Sequence, residues 1–385
     1  MIPLSAPNFE GNEEKYVLDA VHQGWVSTGG AYVTRLEEAV ASYVDAPAAV
    51  ACQSGTAALH LALIECGVGP DDAVIVPTLT FIAAVNPVRY LGATPLFMDC
   101  DDSLCMDPIK LRAFCQEECD ATGTGLVHRR SGKTIKAVLV VHVFGNLADM
   151  ESILSTAHEF GLKVIEDATE ALGSRYEAGL LAGKYAGTLG DFGAYSFNGN
   201  KIITTGGGGM LVSMDSEALG HARYLSTQAK DDPLFYEHKE VGYNYRMTNV
   251  QAAIGVAQME ELDEFISRKR ANWNRYAELL DGCKFGSLLP FREGTRSNKW
   301  FYSFVCAHCL SMQEMREVID SLRDQSIQTR PIWGLISEQV PYREFPTYKI
   351  ESAPYYRSRV INVPCSTDIS PAEIEAVCAA LWRLS

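Results

Sequence analysis

Between residues 48 and 213, short apolar runs alternate with longer segments of helical character. The runs have the length of buried strands, and the segments between them are long enough to cross back over a sheet. This alternation predicts an α/β fold whose sheet is mostly parallel and covered by helices on both faces, with function at the carboxyl ends of the strands. The predicted strands are 48–52, 73–76, 95–98, 137–143, 163–166, 192–197 and 210–213, and the predicted helices are 57–66, 81–90, 108–118 and 149–160.

The pattern changes after residue 248. Residues 248–280 predict one long helix or two helices in tandem, followed by a strand at 300–306 and helices at 312–323 and 369–384. We therefore expect a large α/β domain with an N-terminal arm at 1–250 and a smaller C-terminal α+β domain at 251–385. Within the first domain, the Gly-Thr-Gly sequence at 123–125 and the basic residues that follow it predict a local excursion or a hairpin rather than a linker.

Composition restricts the classes of partner. Lys and Arg number 33 against 48 Asp and Glu, so the formal net charge is −15. This excess of acid argues against binding to a nucleic-acid backbone or an anionic membrane, although one small phosphate site needs only local donors. The N-terminus does not resemble a signal peptide, no stretch is apolar enough to span a membrane, and the 11 irregularly spaced cysteines are typical of reduced thiols. We expect a cytoplasmic protein without nucleic-acid, membrane or metal partners.

The first candidate motif is Gln-Ser-Gly-Thr-Ala-Ala-Leu-His at 53–60. It follows a predicted strand and begins a predicted helix, so backbone N–H groups at the helix N-terminus are free to bind one phosphate. The Thr56 hydroxyl lies beside them, and Gly55 permits close approach. Taken alone, the motif is better explained as an ordinary capped strand–helix turn.

Two further motifs carry a carboxylate and an amine. Asp167 ends a predicted strand, where it could pair with a protonated ring nitrogen or simply cap a helix. Lys201 follows another strand and a polar loop, and four glycines at 206–209 come shortly after it. A partly desolvated lysine there can supply the neutral amine that Schiff-base chemistry requires, with the glycines leaving room for a flat group. A solvated lysine beside a flexible hairpin is the alternative.

A fourth motif, Gly-Tyr-Asn-Tyr-Arg-Met at 242–247, precedes the long helix. Asn244 and Arg246 could donate to an anion, or Asn244 could cap a turn. In this order, the four motifs match the parts of a pyridoxal-phosphate transaminase. The chain resembles the sugar aminotransferases of the DegT/DnrJ/EryC1/StrS family across nearly its whole length, and the matching stretches are 54–63, 77–84, 166–173, 195–206 and 242–247.

The resemblance implies a fold-type-I transferase that carries pyridoxal 5′-phosphate (PLP), or its amine form PMP, in a homodimer with shared active sites. Lys201 would hold the cofactor covalently and shuttle a proton, Asp167 would pair with the pyridine nitrogen, and Phe81 would stack on the ring. Asn244 would reach the phosphate from the neighbouring subunit. The implied cofactor-binding residues are Ser54, Gly55, Thr56, Ala57, Phe81, Asp167, Glu170, Ser196, Lys201 and Asn244.

One of these positions departs from the common family pattern. Many relatives carry Gln where this chain has Glu170, close to the 3′ oxygen of the cofactor. A carboxylate there would repel a phenolate unless one of the two groups kept its proton, so we expect the protonation of Glu170 to be perturbed.

The sequences at 166–170, 197–201 and 327–333 are similar to those of a subgroup that aminates UDP-4-keto-6-deoxy-N-acetylglucosamine for bacillosamine or legionaminic acid. This resemblance implies transfer of an amino group from L-glutamate to a nucleotide-linked 4-ketosugar. Arg330 and Trp333 would help to bind that substrate, although a core Trp and a surface Arg explain them equally well. His142 could touch substrate or form a structural hydrogen bond.

Three alternatives lie near this interpretation. One is an aminotransferase for a dTDP- or GDP-linked 3- or 4-ketosugar. Another is a PLP-binding regulatory protein without turnover, which the joint presence of Asp167, Ser196 and Lys201 disfavours. The third is a sugar 3-dehydratase, in which a histidine replaces the lysine, and Lys201 argues against it.

Overall fold

The computed structural model describes residues 1–123, 125–232 and 234–384. Its helices are α1 (Glu13–His22), α2 (Ala31–Tyr43), α3 (Gly55–Glu65), α4 (Asn86–Tyr90), α5 (Pro108–Glu117), α6 (Met150–Phe160), α7 (Ser216–Ser226), α8 (Asn249–Leu279), α9 (Met312–Asp324), α10 (Ser352–Arg357) and α11 (Pro371–Trp382). Its strands are β1 (Ala49–Cys52), β2 (Asp72–Pro77), β3 (Thr94–Met98), β4 (Cys119–Thr122), β5 (Gly125–His128), β6 (Thr134–Val141), β7 (Lys163–Asp167), β8 (Arg175–Tyr176), β9 (Phe192–Ser196), β10 (Gly209–Val212), β11 (Gly286–Leu288), β12 (Thr295–Arg296), β13 (Tyr302–Cys306), β14 (Arg330–Pro331), β15 (Thr347–Tyr348) and β16 (Val360–Val363).

The central sheet has the strand order β1-β10-β9-β7-β6-β2-β3-β15. The pairs from β9 to β15 are parallel, whereas β10 runs antiparallel to both β1 and β9. The predicted α/β class and mostly parallel sheet are confirmed. Since β1, β6, β7 and β9 share one direction, their carboxyl ends lie at the same edge of the sheet. The predicted hairpin is formed by β4 and β5, and β5 also pairs with β6.

Two predicted elements end differently in the structure. The helix predicted at 81–90 is a 3₁₀ turn at Ile82–Ala84 followed by the short α4, because Pro87 lacks an N–H and crowds the residue before it. The strand predicted at 137–143 ends at Val141, since the chain turns back through Phe144, which has a left-handed φ of 57°.

The long helix is one continuous element. Thr248 caps α8 by accepting a hydrogen bond from the Gln251 N–H, and the Gln251 side chain accepts from the Thr248 N–H in return. The helix packs against α1, α2 and α11. In the described part of the chain, no helix combines the length and the apolar character that crossing a membrane requires.

The C-terminal segment has its own sheet, of order β11-β13-β16-β14, with antiparallel pairs throughout. It is also tied to the rest of the chain. Strand β15 extends the central sheet by pairing with β3, and Ile2 near the N-terminus bridges to Ile327. The division at residue 250 stays a prediction.

A buried ion-pair cluster fixes the segment before α8. Glu37 on α2 accepts hydrogen bonds from the Ala51 N–H at 2.7 Å, from Arg223 and from Arg246. Glu37 and Arg246 are only 6% and 8% exposed. Arg246 is thus occupied by Glu37, which corrects its interpretation as an anion donor.

We predict that Glu37→Gln lowers the free energy of unfolding by about 3–5 kcal/mol, because Arg246 would remain buried without a counter-charge. Urea denaturation measures the effect. The matched control is Glu177→Gln, which removes an exposed carboxylate 3.4 Å from Arg175 and should cost less than about 1 kcal/mol. Equal losses in the two variants would contradict the prediction.

Candidate active site

A cavity of about 450 Å³ opens at the carboxyl edge of the central sheet. Its size is that of an ordinary small-molecule site. The loops after β1, β7 and β9 form its floor, and residues after α8 form one wall. Nine of the predicted site residues line it: Ser54, Gly55, Thr56, Phe81, Asp167, Glu170, Ser196, Lys201 and Trp333.

The N-terminus of α3 forms the polar end of the cavity. Ser54 caps the helix, and its Oγ accepts a hydrogen bond from the Ala57 N–H at 3.1 Å. Ala57 therefore uses its N–H in the cap, and its place among the cofactor-binding residues stays a prediction. The N–H groups of Gly55 and Thr56 precede the first intrahelical bond and are oriented as an anion site requires.

Glycines allow the strands to approach this helix end. A Cβ at Gly55 would lie 2.8 Å from Thr169 Cγ2 and 3.0 Å from Ser196 Cβ. A Cβ at Gly209 would lie 2.4 Å from the carbonyl carbon of Ser54. The glycine run was predicted to make room for a flat group. The structure adds a second reason, because β10 must pass close to the start of α3.

Asp167 ends β7 beneath the cavity. It is 3% exposed, and its Oδ1 accepts a hydrogen bond from the Thr169 N–H at 3.0 Å. Burial raises the pKa of this carboxyl above its usual value. The ionised form of this buried carboxyl would be stabilised by pairing with a cationic group, such as a protonated ring nitrogen.

Lys201 and Glu170 face each other across the cavity floor. Lys201 Nζ lies 3.5 Å from Glu170 Oε1 and 4.0 Å from the centroid of the Trp300 ring. Glu170 Oε2 accepts a hydrogen bond from the Phe144 N–H at 2.7 Å. Burial raises the pKa of Glu170 to about 6, which agrees with the perturbation expected from the sequence.

Aromatic rings form the upper wall. Trp300 and Phe301 stack at 4.0 Å, Trp333 lies 4.6 Å from Phe144, and Phe81 lies 6.4 Å from Trp333. Phe81 is 53% exposed, so one edge of the wall is open. Trp300 and Phe301 are not among the site residues predicted from the sequence. Their apolar, alternating segment predicts only a strand, and nothing local to it indicates a contact with Lys201.

His142 lies outside the cavity. It is fully buried, its Nε2 is 2.9 Å from Glu166 Oε2, and its Nδ1 accepts a hydrogen bond from the Ala148 N–H at 3.2 Å. Both ring nitrogens are occupied. We therefore withdraw His142 from the substrate-binding residues in favour of the structural alternative.

Two other predicted residues do not line the cavity of their own chain. Asn244 is exposed, and its Oδ1 accepts a hydrogen bond from Gln228 Nε2 at 3.1 Å. Arg330 is exposed on β14 and is not among the residues that line the cavity. Their assignments stay predictions.

The residues present fit PLP. Because Gly55 carries no side chain in this narrow space, the N-terminus of α3 stays open for the phosphate. Asp167 offers a buried carboxylate for the ring nitrogen, and Lys201 offers an amine for the aldehyde. This fold and site define a fold-type-I PLP-dependent transaminase.

Comparisons with known proteins identify the family. The model of the DegT/DnrJ/EryC1/StrS aminotransferase family matches residues 7–382. EpsN of Bacillus subtilis (strain 168) is 39% identical over 342 residues, which are 88% of this chain and 83% of EpsN. GDP-perosamine synthase of Caulobacter vibrioides is 37% identical over 391 aligned positions, covering 99% of this chain and 97% of that enzyme.

Solved structures share the fold. The PLP form of Spr1654 from Streptococcus pneumoniae has a TM-score of 0.88 at 24% identity, covering 100% of this chain and 98% of that one. The chain belongs to the DegT/DnrJ/EryC1/StrS aminotransferase family, and it is a PLP-dependent sugar aminotransferase.

We predict that Glu170→Gln removes a pH-dependent loss of stability from the cofactor-free protein. With a pKa of about 6 against a usual 4.5, Glu170 makes the folded state bind more protons than the unfolded state between those values. The contribution of Glu170 to stability should therefore fall as pH rises through this window, by roughly 2 kcal/mol, and then level off.

Urea denaturation of parent and variant at several pH values between about 4 and about 8 measures the difference. Glu177→Gln, which replaces an exposed carboxylate, should keep the pH dependence of the parent. The same pH dependence in the parent and in Glu170→Gln would show that the Glu170 carboxyl is not perturbed.

Proposed function

We propose that this enzyme transfers the amino group of L-glutamate to a nucleotide-linked 4-ketosugar, and in the first instance to UDP-2-acetamido-2,6-dideoxy-hexos-4-ulose, for surface-glycan biosynthesis. One observation carries the transfer chemistry: the Lys201 amine lies in one cavity with two buried carboxylates, Asp167 and Glu170. The ketosugar is supported by the aromatic wall, because flat rings suit the apolar face of a sugar.

The residues divide the work of the reaction. When bound, PLP supplies an aldehyde that accepts an amino group and a ring that takes up electrons. Asp167 would hold a proton at the ring nitrogen, and the start of α3 would bind the phosphate. Lys201 Nζ would move a proton between the cofactor and the substrate carbon. L-Glutamate would leave as 2-oxoglutarate before the ketosugar takes the amine, which predicts ping-pong kinetics.

For the nucleotide portion of the substrate, a specific observation favours an alternative to UDP. The UDP-linked substrate is supported by the resemblance of residues 166–170, 197–201 and 327–333 to the subgroup that uses it. The relatives in Caulobacter vibrioides, Escherichia coli O157:H7 and Vibrio cholerae are named GDP-perosamine synthase, at 37%, 35% and 34% identity. A GDP-linked ketosugar is therefore the second candidate.

We predict turnover of a 4-ketosugar in a panel that contains UDP-, GDP- and dTDP-linked 4-ketosugars, with dTDP-linked 3-ketosugars for comparison. The enzyme is incubated with L-glutamate and each sugar, and mass spectrometry detects the aminated product. A UDP-4-amino sugar is expected to dominate. Preferred turnover of the GDP-linked sugar would move the assignment to the second candidate, and turnover of 3-ketosugars alone would overturn it.

Lys201→Ala is the control for the chemistry. It should lower turnover by roughly 10²–10⁴-fold or more, because the proton-transfer group is lost. Borohydride reduction of the parent should place the pyridoxyl group on Lys201 in a peptide map. An adduct on another lysine would refute the role of Lys201 without deciding which sugar is the substrate.

We also propose that two copies of the chain share their active sites, with Asn244 of each copy serving the other. Its support is the position of Asn244, which is exposed and does not line the cavity of its own chain. Contacts between subunits commonly follow a two-fold axis, which would complete both sites at once.

We predict that coexpressed Lys201→Ala and Asn244→Ala chains regain activity that neither variant has alone. In a mixed dimer, one site would combine an intact Lys201 with an intact Asn244 from the other copy. Random pairing should restore roughly a quarter of the parent's sites. If Asn244 acted on its own chain, both sites of a mixed dimer would be defective, and no recovery would be measured.

A further inference from the structure

Lys269 on α8 is a buried cation that the reaction does not use. Its side chain is 2% exposed, and its Nζ donates a hydrogen bond to the Trp300 carbonyl at 2.8 Å. Burial lowers its pKa, and no carboxylate among the described residues accepts a hydrogen bond from it. A buried charge without a counter-charge costs stability, and an apolar side chain of similar size is often tolerated better. The presence of Lys269 is therefore best explained by its hydrogen bond to the Trp300 carbonyl.

The hydrogen bond from Lys269 is one of those that fix the three polar atoms of Trp300. The Trp300 N–H donates to Asn298 Oδ1 at 3.0 Å, and the indole Nε1 donates to the Asn200 carbonyl at 2.6 Å. The carbonyl accepts a hydrogen bond from Lys269 Nζ and a longer one, at 3.4 Å, from Cys365 Sγ, so every polar atom of Trp300 has a partner. The indole ring is consequently fixed in both position and orientation.

Asn298 connects this arrangement to the cavity floor. It is fully buried, and its Nδ2 donates to the carbonyls of Glu170 and Leu172 at 3.0 and 2.9 Å. The loop that carries Trp300 is thereby tied to the segment that carries Glu170. Both neighbours of the Lys201 amine, the Glu170 carboxyl and the Trp300 ring, belong to one buried network.

The fixed ring faces the reacting amine. Lys201 Nζ lies 4.0 Å from the centroid of Trp300, within the range of a cation–π contact, and Trp300 stacks on Phe301 with an angle of 8° between the rings. An aromatic face attracts an ammonium group but not a neutral amine. The position of the ring therefore affects both where the amine lies and how readily it reacts.

We propose that Lys269 is a positioning residue of the active site. Through the Trp300 carbonyl, it fixes the indole ring whose face contacts the Lys201 amine. The proposal deepens the proposed function and rests on it only in taking Lys201 as the reacting amine. Its test uses no ketosugar and no cofactor, so the sugar assignment can fail without affecting it.

The test measures how fast Lys201 is acetylated by acetic anhydride in the cofactor-free protein, with peptide mass spectrometry and exposed Lys184 as the internal reference. In Lys269→Met the relative rate at Lys201 should rise about two- to fivefold, because a loosened ring favours the ammonium less. The midpoint of urea denaturation should stay the same or rise. An unchanged relative rate, with or without a lower midpoint, would indicate a merely structural lysine and overturn the proposal.

Lys269→Gln is the matched variant. It keeps an N–H donor near the Trp300 carbonyl, so the labelling of Lys201 should lie between those of the parent and Lys269→Met. It also replaces Lys269→Met in the test if that variant does not fold, and a rate equal to that of the parent would then count against the proposal.

A second measurement leaves the sequence intact. The five tryptophans are replaced biosynthetically by analogues with increasing numbers of fluorine atoms, which weaken the attraction of the ring face for a cation. Acetylation of Lys201 should accelerate with each added fluorine. An unchanged rate would overturn the proposal, because the proposal assigns the effect of Lys269 on Lys201 to that ring.

Discussion

Three carboxylates are buried at the end of β7, and the active site depends on how each of them is satisfied. Glu166 is fully buried and accepts hydrogen bonds from the N–H groups of residues 187, 189 and 190, with His142 Nε2 as a further partner. Asp167 and Glu170 are nearly as buried, but each accepts one backbone N–H in the structure. The hydrogen-bonding capacity of Glu166 is thus filled by the fold itself. Asp167 and Glu170 retain oxygen lone pairs that can accept from a cationic ring and an amine.

The sequence predicts those features that depend on the order of elements along the chain. Buried strands and crossover helices produce a parallel sheet, so Asp167 and Ser196 come to one edge because each ends a strand. Lys201 reaches the same edge on the loop after Ser196. The pairing of His142 with Glu166 depends instead on the register between β6 and β7, and the left-handed backbone of Phe144 depends on packing against Trp300 and Trp333. Neither property has a local sequence signal.

The aromatic wall comes from the part of the chain after α8, which is distant in sequence from the cofactor-binding loops. Asn298 brings it into place by binding the carbonyls of Glu170 and Leu172, and Gly145 leaves the space that this side chain needs, since a Cβ there would lie 2.0 Å from Asn298 Oδ1. A buried amide with every group paired specifies one arrangement strongly. The two halves of the chain are therefore joined at the site itself.

The choice of Glu rather than Gln at position 170 changes what the cavity floor can do with a proton. A glutamine there could accept the Phe144 N–H and face Lys201, but it could not take up a proton. A carboxyl with a pKa of about 6 can hold a proton or release it near neutral pH, 3.5 Å from the amine. Burial therefore favours the neutral form of Glu170, which is the form that would not repel a cofactor phenolate.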